Sequence, residues 1–263
     1  MTMKAAVLGH PISHSLSPAI HNAGIGHLKL DAQYSAIDVT EEDLAAFIHE
    51  LSADWVGLSL TMPLKSRVLE LIPSLDTVVQ VTGSANTVYR DPSGNWQLAN
   101  TDVYGLEAAL KSSGHPITGS AAILGSGATA RSAALALANL GFEHVDVQAR
   151  NTQAGLDVRN ILAAHGVSGA STLMEPAGFR NYGLVLSTLP PKSVPWNECE
   201  VESGASTVLL DVAYSPWPSE LAARWSNDLI VNGIEMLFWQ ATQQFELFFK
   251  APAPLTAMRG GIR

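Results

Sequence analysis

Three groups of residues have types and spacings that could do chemistry. The first is Gly125-Ser126-Gly127-Ala128-Thr129-Ala130, which follows the apolar run Ala121 to Leu124 and leads into a helical pattern. This fits G-x-G-x-x-A. The first glycine makes the tight turn, the second lets a pyrophosphate approach the backbone, and a small third residue lets helix and strand pack closely. Free N–H groups at the helix start would then bind the phosphates. A plain structural turn is the alternative. The strand before, the helix after, its stop at Gly141 and the strand that follows favour a dinucleotide. The second group is Lys65, in Ser59-Leu-Thr-Met-Pro-Leu-Lys65, and Asp102, in Asn100-Thr-Asp102 just beyond a strand. A cation in the first turn of a helix opened by Pro63 opposes the helix dipole, so Lys65 is not placed for helix stability. The two could form an acid/base and the carboxylate that positions it; separate surface charges are the alternative. The third is Gly9-His-Pro-Ile-Ser-His-Ser-Leu-Ser-Pro18, with Ser13, Ser15 and Ser17 alternating. An extended loop would aim these hydroxyls to one side, where a helix start could help hold a carboxylate. Simple N-capping by Ser17 is the alternative. His10 and His14 are four apart, but Pro11 between them argues against a helical metal pair, and no metal is expected.

The end of the strand after the glycine turn bears on the choice of dinucleotide. An acidic residue there suits the ribose 2′-hydroxyl of NAD, and a basic one suits the 2′-phosphate of NADP. The strand His144-Val-Asp-Val-Gln-Ala-Arg150 ends on arginine, whose planar fork fits a phosphate. Asp146 lies about 20 residues after the turn, yet sits mid-strand between two valines. NADP is favoured, with a solvated arginine as the alternative.

These groups need elements to position them. Lys4 to Gly9, Tyr34 to Val39 and Trp55 to Leu60 read as strands. Helices are expected after Ser17, from Thr40 as N-cap to about Leu51, and after Pro63. That alternation predicts a mostly parallel α/β sheet, followed by a hairpin of Asn86 to Arg90 and Asn95 to Ala99 around the turn Asp91-Pro-Ser-Gly94. A boundary is expected after Asp102. Gly105 to Lys111 reads as a connecting helix, and a second α/β series follows: strand Ala121 to Leu124, helix Thr129 to Leu140, and strands Val145 to Ala149, Leu184 to Ser187 and Val208 to Val212. The last long helix, Ile234 to Phe249, has apolar residues at 234, 237, 238, 241, 245 and 248.

Composition bounds the rest. A chain of 263 residues suggests about two domains. Hydrophobic residues at 47% supply proper cores, while charged residues are only 15%. The net charge of −9 argues against nucleic acid or an anionic membrane as partner. Cys199 is the one cysteine, so no intrachain disulfide or multi-cysteine metal site forms. No apolar run suggests a membrane span or signal peptide, so a cytoplasmic globular protein is expected.

Taken together and in order, Gly9 to Pro18, Thr61-Met-Pro-Leu-Lys65, Gly83-Ser-Ala-Asn-Thr87, Asn100-Thr-Asp102, Gly125 to Arg131, Asp211-Val-Ala-Tyr214 and Asn232 to Gln240 resemble the shikimate dehydrogenase family over nearly the whole chain. The resemblance implies a substrate domain, 1–102, completed by a C-terminal helix of about 234–263, and a Rossmann-like NADP-binding domain, 103–233, with a cleft between them. It implies NADPH-dependent, reversible reduction of 3-dehydroshikimate to shikimate, with a small carboxylate as substrate. Lys65 and Asp102 match the catalytic pair. Ser15 and Ser17 match serines that bind the carboxylate, while Thr61, Asn86, Thr101 and Gln240 match polar groups around the substrate. Tyr214 is a further substrate-side candidate. Gly125, Ser126, Gly127, Ala128, Thr129, Ala130, Arg131 and Arg150 match the NADP-binding turn and its phosphate arginine; Thr188, Gly233 and Met236 match positions near the nicotinamide. The chain also departs from the pattern. Ser59 stands where the family often has asparagine, Ala149 precedes Arg150 in place of asparagine, and Ala154 replaces a second basic residue. An NAD-preferring quinate/shikimate dehydrogenase and a non-catalytic sensor on the same fold are the alternatives. Monomer and homodimer are both open.

Overall fold

The computed structural model describes residues 1–175 and 178–262. The chain divides into two compact units, residues 1–102 with 237–263, and residues 103–236.

The first unit is built on β1 (Met3–Gly9), α1 (Ser17–Leu28), β2 (Ala32–Asp38), α2 (Leu44–His49), β3 (Trp55–Leu60), α3 (Leu64–Arg67), α4 (Thr77–Thr82), β4 (Thr87–Arg90), β5 (Trp96–Ala99) and the first residue of α5 (Asp102–Ser112). Its sheet runs β2-β1-β3-β4-β5; β1 is parallel to β2 and β3, whereas β3-β4 and β4-β5 are antiparallel. The hairpin therefore adds an antiparallel edge to a parallel core. Along β1, side chains alternate between two buried layers: Ala6 and Leu8 join Leu44, Leu58, Leu64 and Val88, and Ala5 and Val7 join Ile20, Tyr34, Phe245 and Phe248. Both faces are covered, which is why this strand reads as a continuous apolar run.

Two helix starts differ from the sequence expectation. Ser17 is the first residue of α1, not its cap; Leu16 occupies the cap position with no side-chain hydrogen bond, and Pro18 fills the first turn. The expected helix from Thr40 to Leu51 contracts to α2, Leu44–His49, with Asp43 at its cap position. Thr40 Oγ1 instead donates to Asp43 Oδ2 at 2.8 Å, so the three acidic residues form a turn ahead of the helix.

The second unit comprises β6 (Ala121–Leu124), α6 (Ala128–Asn139), β7 (Val145–Ala149), α7 (Thr152–Ala164), β8 (Ser171–Leu173), β9 (Leu184–Ser187), β10 (Val208–Asp211) and β11 (Ile230–Asn232). All its strands are parallel, in the order β11-β10-β9-β6-β7-β8. Counted along the chain, this is the 3-2-1-4-5-6 order of a doubly wound dinucleotide-binding sheet. Every residue of β6, β9 and β10 is buried, as helices on both faces require. Sequence reading did not single out α7, although Asn151 caps it by accepting from Ala154 N at 3.1 Å and its buried face recurs at Gly155, Val158 and Leu162.

The last elements are α8 (Gly233–Phe249) and α9 (Leu255–Gly260). Within the first unit, α8 lies so close to β3 that a Cβ on Gly57 would overlap the Phe248 ring. Among the described residues, no helix is long and apolar enough to cross a membrane, and no group of three or more His, Cys, Asp or Glu could hold a metal ion.

Candidate active site

In the first unit the chemistry-bearing residues gather at one end of the sheet. Strand order reverses between β1 and β3, so the loops leaving their carboxyl ends diverge and open the crevice where such sheets bind ligands. Backbone hydrogen bonds hold the two loops together, from Thr61 N to Leu8 O at 2.9 Å and from His10 N to Met62 O at 3.1 Å. Because β4 and β5 form a hairpin, the start of β4 and the end of β5 reach the same sheet end, bringing Asn86 and Thr87 beside Thr101 and Asp102.

Lys65 and Asp102 meet there. Lys65 Nζ lies 2.5 Å from Asp102 Oδ2, and their side chains are 14% and 4% exposed. Two separate surface charges are thereby replaced by a largely buried ion pair, an arrangement that needs further hydrogen bonds to offset desolvation. Asn86 Nδ2 supplies one, donating to Asp102 Oδ1 at 2.8 Å. Lys65 is the second residue of a four-residue helix, too short for its dipole to matter much; the backbone bond from Ala85 N to Lys65 O, 2.8 Å, helps fix its place.

Around the pair, Asn86 Nδ2 also lies 2.9 Å from Thr101 Oγ1, and Gln240 Oε1 lies 3.2 Å from Asn86 Nδ2 and 3.3 Å from Thr101 Oγ1. Five of the expected residues, Lys65, Asn86, Thr101, Asp102 and Gln240, thus form one cluster. Thr61, half-buried, begins the loop that carries Lys65. Ser15 Oγ accepts from Ser17 N at 3.3 Å, and Ser17 is buried. Since Ser17 does not cap α1, the bland explanation for this hydroxyl is removed, and its neighbourhood is Tyr34, whose phenol is pushed up by burial against the opposing hydroxyls of Ser59 and Ser17.

One participant escaped sequence reading. Gln244 lies one turn beyond Gln240 and is 1% exposed. Its Oε1 accepts from Ser59 Oγ at 2.7 Å, and its Nε2 donates to Asn86 O at 3.0 Å and Thr87 Oγ1 at 2.9 Å. The signal was present: position 244 falls within the apolar stripe of α8, so its polar side chain had to find buried partners.

In the second unit, Gly125 to Ala130 joins β6 to α6. Gly125 has φ +112°, a conformation suited to glycine, and a Cβ there would overlap Thr188 Oγ1. Thr188, at the end of β9, donates that hydroxyl to Leu124 O at 2.9 Å, so turn and neighbouring strand end are tied together. Gly127 is different. It occupies the cap position of α6 at an ordinary φ of −79° with no side-chain cap, and a Cβ there would meet no protein atom within 4 Å. Nothing inside the chain demands this glycine, whereas a phosphate approaching the helix N–H groups would. The first turn of α6 carries no acidic residue, and Ala130 is fully buried. The turn therefore fits a pyrophosphate.

Arg150 is exposed immediately after β7. Asp146 is occupied otherwise: it accepts from Ala170 N at 2.7 Å and Tyr182 Oη at 2.8 Å. Burial raises its pKa, but these hydrogen bonds and nearby His144 outweigh burial and hold the carboxyl below its usual range. Arg131 is half-buried in the first turn of α6, and burial lowers its pKa. Buried Gly233 has its α-carbon where a Cβ would overlap the Val212 carbonyl, and Met236 is 7% exposed. Tyr214 is half-buried, with its phenol raised by burial. Ahead of it, Asp211 accepts from Ser219 Oγ at 2.6 Å and Ala213 N at 3.2 Å; burial nevertheless raises its pKa, and the contacts tether the loop leading to Tyr214.

A doubly wound sheet with a phosphate-ready turn in one unit, and a buried lysine–carboxylate pair in the other, define a two-domain α/β oxidoreductase. Comparison with known proteins narrows the class. Residues 7–88 match the model of the shikimate dehydrogenase substrate binding domain, and residues 233–260 that of the shikimate 5′-dehydrogenase C-terminal domain. A curated shikimate dehydrogenase (NADP(+)) from Microcystis aeruginosa is 31% identical, over 99% of this chain and 96% of its own. The crystal structure of Mycobacterium tuberculosis shikimate dehydrogenase is similar at a TM-score of 0.87 and 33% identity, covering 99% of this chain and 98% of that one. The Thermus thermophilus shikimate 5-dehydrogenase in complex with NADP(H) and shikimate matches at a TM-score of 0.85 and 28% identity, covering 99% and 98%. The chain belongs to the shikimate dehydrogenase family.

Proposed function

We propose that the protein catalyses the reversible NADPH-dependent reduction of 3-dehydroshikimate to shikimate, a step of aromatic amino acid biosynthesis, in the cytoplasm. The observation that carries this reading is the buried Lys65–Asp102 pair, held at 2.5 Å at the carboxyl end of the first sheet in a chain of this family. When bound, NADPH supplies the hydride that reduces the ring ketone. Lys65 stabilises the oxygen that gains charge and gives it a proton, and takes that proton back in the oxidative direction. Asp102, oriented by Asn86, keeps the ammonium aimed. Ser15 and Ser17 hold the substrate carboxylate; Thr61, Asn86, Thr101 and Gln240 order the ring hydroxyls, with Tyr214 a further substrate contact. Gly125 to Arg131 hold the pyrophosphate, Arg150 the 2′-phosphate, and Thr188, Gly233 and Met236 the nicotinamide. The first unit, 1–102 with the C-terminal helix, is the substrate domain, and 103–233 is the cofactor domain.

Two measurements test the proposal. Lys65→Met lowers kcat by about 100- to 10,000-fold, the usual contribution of a positioned acid/base, while NADPH binding and fold persist. A variant turning over at near wild-type rate sinks the assignment. Initial rates with shikimate and quinate, each with NADP and NAD, test specificity. A preference for quinate or NAD would instead favour a quinate/shikimate dehydrogenase, a reading that Ser59 and Ala154 keep alive because each replaces a family side chain that could bind substrate or phosphate.

A further inference from the structure

Behind the Lys65–Asp102 pair runs a continuous buried chain of hydrogen bonds whose direction can be worked out from chemistry alone. Tyr34 Oη lies 2.6 Å from Ser59 Oγ, and Ser59 Oγ lies 2.7 Å from Gln244 Oε1. Gln244 Nε2 lies 2.9 Å from Thr87 Oγ1, Thr87 Oγ1 lies 2.7 Å from Asn86 Oδ1, and Asn86 Nδ2 lies 2.8 Å from Asp102 Oδ1. Tyr34, Ser59, Asn86, Thr87, Asp102 and Gln244 are all buried, at 4% exposure or less.

Two backbone groups fix the orientation of both amides. Thr101 N–H can only donate, and it lies 2.8 Å from the Asn86 side chain, so that atom is the amide oxygen and the amide nitrogen faces Asp102. The Asn86 carbonyl can only accept, and it lies 3.0 Å from the Gln244 side chain, so that atom is nitrogen and the oxygen faces Ser59. The Ser59 proton must then point to Gln244, leaving its lone pairs for the Tyr34 phenol. With Gln244 Nε2 donating to Thr87, the Thr87 proton points to Asn86 Oδ1 at 2.7 Å, much nearer than the other hydroxyl in reach, Thr101 Oγ1 at 3.5 Å. The chain is a one-way line of donors from Tyr34 to the Asp102 carboxylate.

We propose that Gln244 is a positioning residue for the reaction: through Thr87 it orients the Asn86 amide, and through Asn86 it holds Asp102 in the geometry that aims Lys65. By the same chain, the Ser59 hydroxyl is turned inward on Gln244 and is not a donor to substrate. The asparagine commonly found at that position is thus replaced by a structural partner for Gln244. This proposal rests on the reading of Lys65 and Asp102 as the reacting pair.

The test uses the full-length enzyme with Thr87→Val, which keeps the shape of the side chain and removes its proton, Thr87→Ser, which restores it, and Gln244→Met. Misaimed catalytic groups cost on the order of 100-fold. Thr87→Val and Gln244→Met should therefore lower kcat by about 10- to 100-fold, a larger change than any rise in KM for shikimate through its contact with Asn86. The primary deuterium isotope effect on kcat, read in the reductive direction with NADPH deuterated at the transferred position, should rise as the chemical step becomes slower. Thr87→Ser should return kcat to within about threefold of wild type. Ser59→Ala should leave KM for shikimate unchanged. The proposal is overturned if Thr87→Val retains wild-type kcat, if Thr87→Ser fares no better than Thr87→Val, or if Ser59→Ala raises KM tenfold. A failure of the underlying reading is distinguishable, since it shows as an active Lys65→Met enzyme whatever the Thr87 and Gln244 variants do.

Discussion

Replacing Gly127 with alanine separates the demands of a ligand from those of the fold. The backbone there has φ −79°, which alanine adopts freely, and a Cβ would meet no atom within 4 Å. At a helix cap, alanine is worse than glycine by about 0.5–1 kcal/mol. Against that, it removes unfolded-chain freedom worth about 0.4–1 kcal/mol. The two nearly cancel, so Tm should move by less than about 4 °C. A methyl group placed where a phosphate must approach the helix N–H groups acts like overpacking and costs about 1–3 kcal/mol. That is about 5- to 150-fold in the Kd for NADPH. Fluorescence titration of NADPH alongside a thermal melt reads both numbers on one preparation. An unchanged Kd, or an affinity loss that merely tracks a loss of Tm, refutes the assignment of this turn to the pyrophosphate. Gly125→Ala is the contrast: its φ of +112° and the overlap with Thr188 Oγ1 should destabilise the fold itself by about 1–3 kcal/mol.

Three further outcomes are expected. Ser15→Ala combined with Ser17→Ala should raise KM for 3-dehydroshikimate and leave KM for NADPH nearly unchanged; equal effects on both would make these serines loop-shaping residues. Arg150→Ala removes a charged hydrogen-bond donor worth about 1.5–3 kcal/mol, so NADPH should bind about 10- to 150-fold more weakly while NADH is spared. Parallel losses for both cofactors would end the 2′-phosphate assignment. His21 is fully buried, stacked at 4.1 Å on Tyr34, and burial lowers its pKa to about 3 against the opposing effect of nearby Gln244. The unfolded chain then binds the extra proton between about pH 6.5 and 3, so this group makes stability fall as pH drops through that window. Between pH 7 and pH 4 the loss is roughly 3 kcal/mol. Urea melts at those two pH values should show His21→Leu losing less stability than wild type, and an equal loss in both would disprove a neutral buried His21.

Local order was legible because its physics is local. The turn of Gly125 to Ala130, the strand Trp55–Leu60 and the amphipathic stripe of α8 follow from steric freedom, alternation and helical period, all of which are properties of neighbouring residues. Helix starts were less so: the same hydroxyl pattern that suggests a cap at Ser17 serves another surrounding, since capping depends on backbone angles that the rest of the fold selects.

The sequence by itself determined which chemical groups the chain carries, two α/β series to hold them, and a family resemblance that gave Lys65 and Asp102 their expected role. Tertiary structure alone decided that these two touch, being 37 residues apart in sequence and 2.5 Å apart in space. It also decided that Asp146 is occupied by Ala170 and Tyr182, and that Gln244 joins Ser59 to Asn86 across 158 residues of chain. Pairings of that kind depend on strand order and on which helix packs over which strand. The free energy that selects them is the burial of many distant apolar side chains together, and no local stretch of sequence contains it.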